Sequence, residues 1–332
     1  MKAAVVGSGG WGTALALCLL RNGHETLLWS HSRQKAEEME KTRQNKMLPG
    51  VLLPEDLQIA WEPTSVAGHP LVVIACPSVH IRSVCRQVAP YLDADAVLVS
   101  VTKGIEPGSL LRMSQIVREE THREVAVLTG PSHAEEVAKN IPTACVAASE
   151  NQALAELVQD AFMSDSFRVY TSADVIGSEL GGALKNVIAL CAGVSDGMGN
   201  GDNTKAMLMT RGLTEIARLG VAMGARKETF AGLAGVGDLI VTCTSQHSRN
   251  RRAGILMGQG KSPQEAMEAV GAVVEGYYAA KSAWELACKL GVEMPIIHGA
   301  YRALYENVDV KTVLKSLLCR ARKAETEDAG WL

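Results

Sequence analysis

Four groups of residues combine types and spacing that can do chemistry. The first is Gly7-Ser8-Gly9-Gly10-Trp11-Gly12, a G-x-G-x-x-G loop. In such a loop Gly7 permits a tight turn, Gly9 lets backbone approach a pyrophosphate, and Gly12 lets a helix pack closely on its strand. The second is Lys185, the lone charge between Glu179 and Asp196, in Gly181-Gly182-Ala183-Leu184-Lys185-Asn186. On a helix Gly181, Lys185, Ile188, Ala189 and Ala192 share a face, a surface of small residues that a substrate could approach. Desolvation there lowers an amine's pKa and makes it a general base. A lysine snorkelling from a buried helix gives the same pattern. The third is Asp238, the lone charge from Thr229 to Gln246. A carboxylate in so apolar a run needs a partner, for which Lys185 is a candidate, or it caps the next helix. The fourth is Ser248-Arg249-Asn250-Arg251-Arg252. Ser248 as a cap, the Arg249 guanidinium, the Asn250 amide and first-turn N–H groups would make a phosphate site. At least one of Arg251 and Arg252 belongs to a solvated face.

These groups need elements to position them. Lys2 to Val6 reads as a buried strand, Thr13 to Leu20 as a helix and Glu25 to Trp29 as a second strand. Strand, glycine turn, helix and strand within about 30 residues is a dinucleotide fingerprint, with the helix N-terminus facing the phosphates. An NAD site usually carries an acid at the end of the second strand. Here Ser30-His31-Ser32-Arg33 follows, with no acid until Glu37. Arg33, with His31 and Ser32, could accept a 2′-phosphate, so the expected cofactor is NADPH with NADH tolerated. Further strands are expected over 70–76, 96–101, 125–129, 143–148 and 167–171, with helices over 32–44, 78–89, 107–120 and 152–162. This alternation implies a doubly wound parallel sheet. Open sheets of this kind bind ligands at the carboxyl ends of their strands. Lys103-Gly104 and Gly130-Pro131-Ser132 fall at such ends. Lys103 then either lies beside a phosphate or hydroxyl, or is an exposed loop lysine.

The strand pattern stops near residue 172. Helices are expected over 174–194, 204–223, 248–259, 262–270, 276–290, 296–305 and 310–318, and the polar tail 324–332 is expected to fray. The reading is thus an α/β Rossmann-type domain over 1–172 and an all-helical substrate and catalytic domain over 173–332. The 332 residues are 47% hydrophobic, enough for sizeable cores, and the net charge of −3 with few aromatics excludes a nucleic-acid partner. Eight scattered cysteines lack metal-ligand spacing, so no metal is expected and a reducing cytoplasm is. The chain begins in a strand rather than a signal peptide, and no membrane span is expected.

Taken together the motifs resemble bacterial NAD(P)-dependent glycerol-3-phosphate dehydrogenases. The resemblance rests on residues 5–15, Lys103-Gly-Ile-Glu-Pro107, Gly130-Pro-Ser-His-Ala-Glu-Glu136, Gly182-Ala-Leu-Lys-Asn186, Gly235-Val-Gly-Asp238, Ser248-Arg-Asn250 and Val273-Val-Glu-Gly276. It implies reversible hydride transfer between NAD(P)H and C2 of dihydroxyacetone phosphate, giving sn-glycerol 3-phosphate for phospholipid synthesis. It implies a cytoplasmic homodimer whose helical domain is similar to the C-terminal part of 6-phosphogluconate dehydrogenase. By resemblance Lys185 accepts the proton, while Lys103, Gly130, Ser132, Asp238, Ser248, Arg249 and Asn250 contact substrate. By resemblance, too, the cofactor lies on Gly10, Trp11, His31, Lys103, Ala134, Arg249, Val273 and Glu275. Gly10 stands where the family often has Ser, a change expected to remove a hydroxyl contact and loosen the loop. Two other readings remain. A β-hydroxyacid dehydrogenase of the 6-phosphogluconate type shares the helix lysine, but its asparagine falls four residues after the lysine, where this chain has Ala189. A non-catalytic dinucleotide sensor would leave Lys185 and Asp238 without a task.

Overall fold

The structure, a computed structural model, describes residues 1–322, 324 and 325. Apart from Ala324 and Glu325, the expected fraying tail lies outside the described residues. Eight strands form one sheet: β1 (Lys2–Val6), β2 (Glu25–Trp29), β3 (Gln58–Ala60), β4 (Leu71–Ile74), β5 (Val97–Ser100), β6 (Val125–Thr129), β7 (Thr143–Ala148) and β8 (Phe167–Ser172). Their order is β3-β2-β1-β4-β5-β6-β7-β8. Strand order reverses between β1 and β4, which are paired in parallel from Ala3↔Leu71 to Val6↔Ile74. The crevice at their carboxyl ends is where such sheets take ligands. Helices cover both faces. Val5, Leu15, Val73 and Phe162 build the core on one side, and Ile74, Val84, Leu98 and Ile116 build it on the other. Strands covered twice are apolar along their whole length, which is why they were legible as runs.

The sheet departs from a fully parallel one at β7, which pairs antiparallel with β6 and parallel with β8. The cause is the link from Thr129 to Thr143, a loop with one short helix, Ala134–Ala138. It returns the chain at the same end of the sheet, whereas a parallel neighbour needs a crossover along the sheet's full length. A second departure concerns the helix expected from Pro107. It begins instead at Met113, with Arg112 as its cap. Residues 105–112 form a turn closed by an Ile105–Arg112 bridge. Within it Gly108 and Leu110 adopt φ of +86° and +61°, which no helix continues through.

After Ser172, Asp174 caps the helix Val175–Gly197 by accepting from the Gly177 N–H. This central helix is long and apolar enough to cross a membrane, but 89% of its most apolar window is buried inside the protein. Around it pack the helices Asp202–Ala222, Arg249–Gly258, Glu275–Leu290 and Pro295–Tyr305. The closest approach is to Arg249–Gly258. A Cβ at Gly193 would sit 2.1 Å from the Arg251 carbonyl oxygen, and one at Gly254 would sit 2.1 Å from that of Leu190. The small residues of this helix therefore serve backbone-to-backbone packing. Gly181 does the same, since its Cβ would fall 2.2 Å from the Ala234 carbonyl oxygen. The face expected to receive a substrate is thus partly filled by protein. Gly182 is the glycine that borders Lys103 and Thr129.

Buried polar ties fix the helices against the sheet. Glu179 accepts from the Ser114 N–H (2.8 Å) and hydroxyl (2.7 Å) and pairs with Arg112. Glu275 accepts from the backbone N–H (3.1 Å) and hydroxyl of Ser78, just after β4. The Ser282 hydroxyl donates to the Ile105 carbonyl at 3.1 Å.

Candidate active site

Asp238 lies where the sheet ends meet the helices. It is delivered by a one-turn π-helix, Leu233–Gly237, and opens the helix Asp238–Thr244. Neither element was legible in the sequence; π-turns are rare and tend to mark functional sites. The Asp238 carboxylate is fully buried and is held by two amines. Lys185, from the central helix, donates to Oδ1. Lys103, from the loop after β5, donates to Oδ2 at 2.7 Å and to the Gly130 carbonyl at 3.2 Å. Asp238 thus partners the lysines rather than capping a helix, and Lys103 is not an exposed loop lysine, its side chain being only 20% exposed. The Ser132 hydroxyl donates to the same Gly130 carbonyl at 3.1 Å. Lys103, Gly130, Ser132, Lys185 and Asp238 are therefore one cluster.

The electrostatics of this cluster favour proton transfer. Burial outweighs the attraction of Asp238 and lowers the Lys185 pKa from 10.5 to about 7, and the nearby charge of Lys103 adds to the shift. Lys185 also donates to the Thr242 hydroxyl at 2.7 Å, and that hydroxyl donates to the Asp238 carbonyl at 2.6 Å. Sequence reasoning gave Thr242 no role. The available signal was its position four residues after Asp238, on the same helix face.

The glycine loop has the geometry a dinucleotide requires. A Cβ at Gly7 would lie 2.4 Å from the Ala75 carbonyl oxygen, and one at Gly12 would lie 1.9 Å from that of Gly7. Above Gly9 there is open space, with no atom within 4 Å of its would-be Cβ. The helix Gly10–Arg21 begins there with no side-chain cap, so its first N–H groups point into that space. The Trp11 indole N–H is buried with no partner among the described residues. These features fit a pyrophosphate and its flanking groups. Gly10 behaves differently from the expectation of a looser loop. It lies under the Met47 carbonyl, 2.7 Å from its would-be Cβ, and 3.7 Å from the Ala134 methyl. Asn45 braces the segment, donating to the Ser8 carbonyl (3.0 Å) and the Thr13 hydroxyl (2.7 Å).

Two family descriptions match the chain in tandem: NAD-dependent glycerol-3-phosphate dehydrogenase N-terminus over residues 2–155, and the C-terminus over 174–315. The chain belongs to the NAD-dependent glycerol-3-phosphate dehydrogenase family. It is 51% identical to glycerol-3-phosphate dehydrogenase [NAD(P)+] of Fusobacterium nucleatum, covering 98% of this chain and 99% of that one. It is 52% identical to the Pelotomaculum thermopropionicum enzyme of the same name, covering 99% and 96%. A crystal structure of glycerol-3-phosphate dehydrogenase from Coxiella burnetii superposes with TM-score 0.92 at 39% identity, over 96% of this chain and 99% of that one. The activity is that of a glycerol-3-phosphate dehydrogenase using an NAD(P) cofactor, as the resemblance implied.

Other residues singled out in this dehydrogenase sequence fall into two sets. Ser248 is buried and caps its helix, its hydroxyl accepting from the Arg251 N–H at 3.2 Å. Arg249 follows it and is exposed. Asn250 is buried and acts as a tie, donating to Asn186 Oδ1 at 2.9 Å and accepting from the Gly276 N–H at 2.8 Å. That tie sets Asn250 beside Asn186, the residue that follows Lys185, and leaves Arg249 near Glu275. Burial raises the Glu275 carboxyl pKa against the opposing Ser78 bonds and the Arg249 charge. Val273 lies two residues before it, half-buried. Arg251 is ion-paired with Asp196 at 2.7 Å, and Arg252 forms the solvated face.

At the end of β2, the Ser30 hydroxyl accepts from the Ser8 hydroxyl at 2.8 Å. His31 is largely exposed, and partial desolvation of its ring lowers its pKa, with the charges of Lys35 and His80 adding. Ser32 caps the next helix, accepting from the Lys35 N–H. Arg33 lies 5.1 Å over the Trp61 ring and bonds Glu37 at 2.7 Å. Trp61 follows β3, a three-residue edge strand that sequence reasoning did not find.

Proposed function

We propose that Lys185 carries the proton in the interconversion of dihydroxyacetone phosphate and sn-glycerol 3-phosphate. The observation that carries this reading is one buried carboxylate shared by two lysines, one of them near neutrality at physiological pH. The Gly7–Gly12 loop would hold the NAD(P) cofactor, which when bound would supply the hydride exchange at C2 of the substrate. In reduction, the Lys185 ammonium gives its proton to the oxygen developing at C2. In oxidation, the neutral amine takes the C2 hydroxyl proton. Asp238 and Thr242 aim the Lys185 amine, and Lys103, on the other oxygen of the same carboxylate, offers N–H groups to the substrate oxygen. Gly130 and Ser132 border the same space. Arg249 and the helix end capped by Ser248 hold the phosphate, so binding energy away from the reacting carbon positions it.

For the cofactor, we place the adenine ribose near His31, Ser32 and Arg33, where no carboxylate opposes a 2′-phosphate. NADPH is then preferred and NADH tolerated. The product feeds glycerophospholipid synthesis in the cytoplasm, made by a homodimer. The deciding experiment is spectrophotometric oxidation of NADPH and NADH with dihydroxyacetone phosphate, run beside 6-phosphogluconate with NADP⁺. Turnover of the triose phosphate alone is expected. Turnover of 6-phosphogluconate alone would overturn the reading.

A further inference from the structure

His133 is a group that this mechanism leaves unused. It follows Ser132 in the loop after β6, and its Nε2 is buried with no hydrogen-bond partner among the described residues. A buried polar atom left unpaired is costly and needs an explanation. The ring reaches across to the helical side. It lies close to the Val241 backbone, on the helix that carries Asp238 and Thr242. Its centroid is 5.8 Å from the ring of His247, which immediately precedes Ser248 and Arg249. It is also near enough to Lys185 for that charge, together with burial, to lower its own pKa. The imidazole thus neighbours both Lys185 and the residue that leads into the helix of Ser248 and Arg249.

We propose that His133 is a specificity-determining residue whose Nε2 hydrogen-bonds the C1 hydroxyl of the triose phosphate. The chemistry selects this group over the phosphate. A phosphate requires a donor, which Nε2 is only when it carries the proton, in one of the two neutral tautomers or in the imidazolium that burial and Lys185 disfavour. A hydroxyl both gives and accepts, so it satisfies Nε2 in either neutral tautomer. Because C2 is held at Lys185 and the phosphate at Arg249, the remaining polar group of the substrate is that C1 hydroxyl. This inference rests on the reading of the site as one for dihydroxyacetone phosphate.

The test compares dihydroxyacetone phosphate with hydroxyacetone phosphate, in which the C1 hydroxymethyl is a methyl. A site built to bond a hydroxyl rejects the analogue that lacks it. The wild type is expected to favour dihydroxyacetone phosphate in kcat/KM by about 10²-fold or more. His133→Phe is expected to remove most of that preference by losing activity on dihydroxyacetone phosphate while the methyl analogue is little changed. His133→Gln, which keeps a polar atom, should retain part of it. Equal use of both substrates by the wild type overturns the proposal whether or not a variant folds, as does an equal loss on both in His133→Gln. Failure of the wild type to reduce dihydroxyacetone phosphate at all overturns the reading of the site itself, and this inference with it.

Discussion

Asp238 carries one negative charge against two amines, and this imbalance sets the chemistry of the residues around it. Lys103 is partly exposed, whereas Lys185 is 6% exposed and titrates near 7 because its ammonium is poorly solvated. The direction of the pH dependence follows. With Lys185 as the proposed proton carrier, oxidation of sn-glycerol 3-phosphate would need its neutral amine, so kcat should rise as pH passes about 7; reduction would need the ammonium, so kcat should fall over the same range. Profiles that rise together in both directions would remove Lys185 from the proton step. In Lys185→Ala, kcat should drop about 10² to 10⁴-fold with cofactor still bound, as fluorescence titration of NADPH would show. At the other end of the substrate, Arg249→Ala should cost about 1.5–3 kcal/mol of affinity for dihydroxyacetone phosphate and far less for unphosphorylated dihydroxyacetone. Equal losses on the two would mean that Arg249 does not read the phosphate. For the cofactor, Arg33→Ala should weaken NADPH more than NADH, and Ser32→Asp should shift preference to NADH while keeping a good helix cap. The Arg33–Glu37 bond competes with any 2′-phosphate, which is consistent with tolerance of both cofactors. An unchanged NADPH/NADH ratio in kcat/KM for both variants would place discrimination elsewhere.

Whole elements decide where these residues stand, and the pairing of Val175–Gly197 with Arg249–Gly258 decides most. Gly254→Ala adds a methyl where the Leu190 carbonyl oxygen is 2.1 Å away. Separating the helices should cost about 1–3 kcal/mol, read as a lower urea midpoint, and should lower kcat/KM for dihydroxyacetone phosphate because Arg249 moves with its helix. Stability equal to wild type would mean that the pair separates freely. Elements of this kind were legible where one cause dominates. β4 and β6 are unbroken apolar runs, and Asp174, Ser248 and Ser262 each precede their helices as caps. Elsewhere the deciding cause lay outside the local sequence. Pro107 suits a first helical turn, but the turn over 105–112 makes it part of a loop. β7 carries the same residue types in either direction, and the short link at Ala134–Ala138 fixes its sense. At the site, Lys185 and Asp238 stood out as lone charges in apolar runs. Thr242, Ser78 and Asn186 did not, because each acquires its partner only on folding: Thr242 from Lys185 and Asn186 from Asn250 between packed helices, and Ser78 from Glu275 across the junction of sheet and helices.

That junction holds the molecule together through buried charge, which makes it sensitive to single changes. Glu179 is 6% exposed and satisfies Ser114 and Arg112 at once. Glu179→Ala should destabilise the protein by about 3–5 kcal/mol, because it strands the Arg112 charge, and a denaturation midpoint within error of wild type would contradict this. Lys185 acts on stability in the opposite sense. Its pKa is lowered on folding, from 10.5 to about 7. Below pH 7 both states hold the proton, and the native state bears the full cost of a buried ammonium. Between about 7 and 10.5 the unfolded chain binds a proton that the native state does not, so unfolding becomes harder as pH rises. Replacing the ammonium with an isosteric apolar chain, Lys185→Met, removes this contribution and leaves Lys103 to pair Asp238. The variant should therefore be more stable than wild type at pH 6, with an advantage that shrinks as pH rises toward 10. Denaturation midpoints of both proteins across that range check it, because subtracting one curve from the other cancels the remaining titrating groups. An advantage that stayed constant or grew with pH would show that Lys185 keeps its proton in the folded enzyme, and the proton carrier would have to be sought elsewhere.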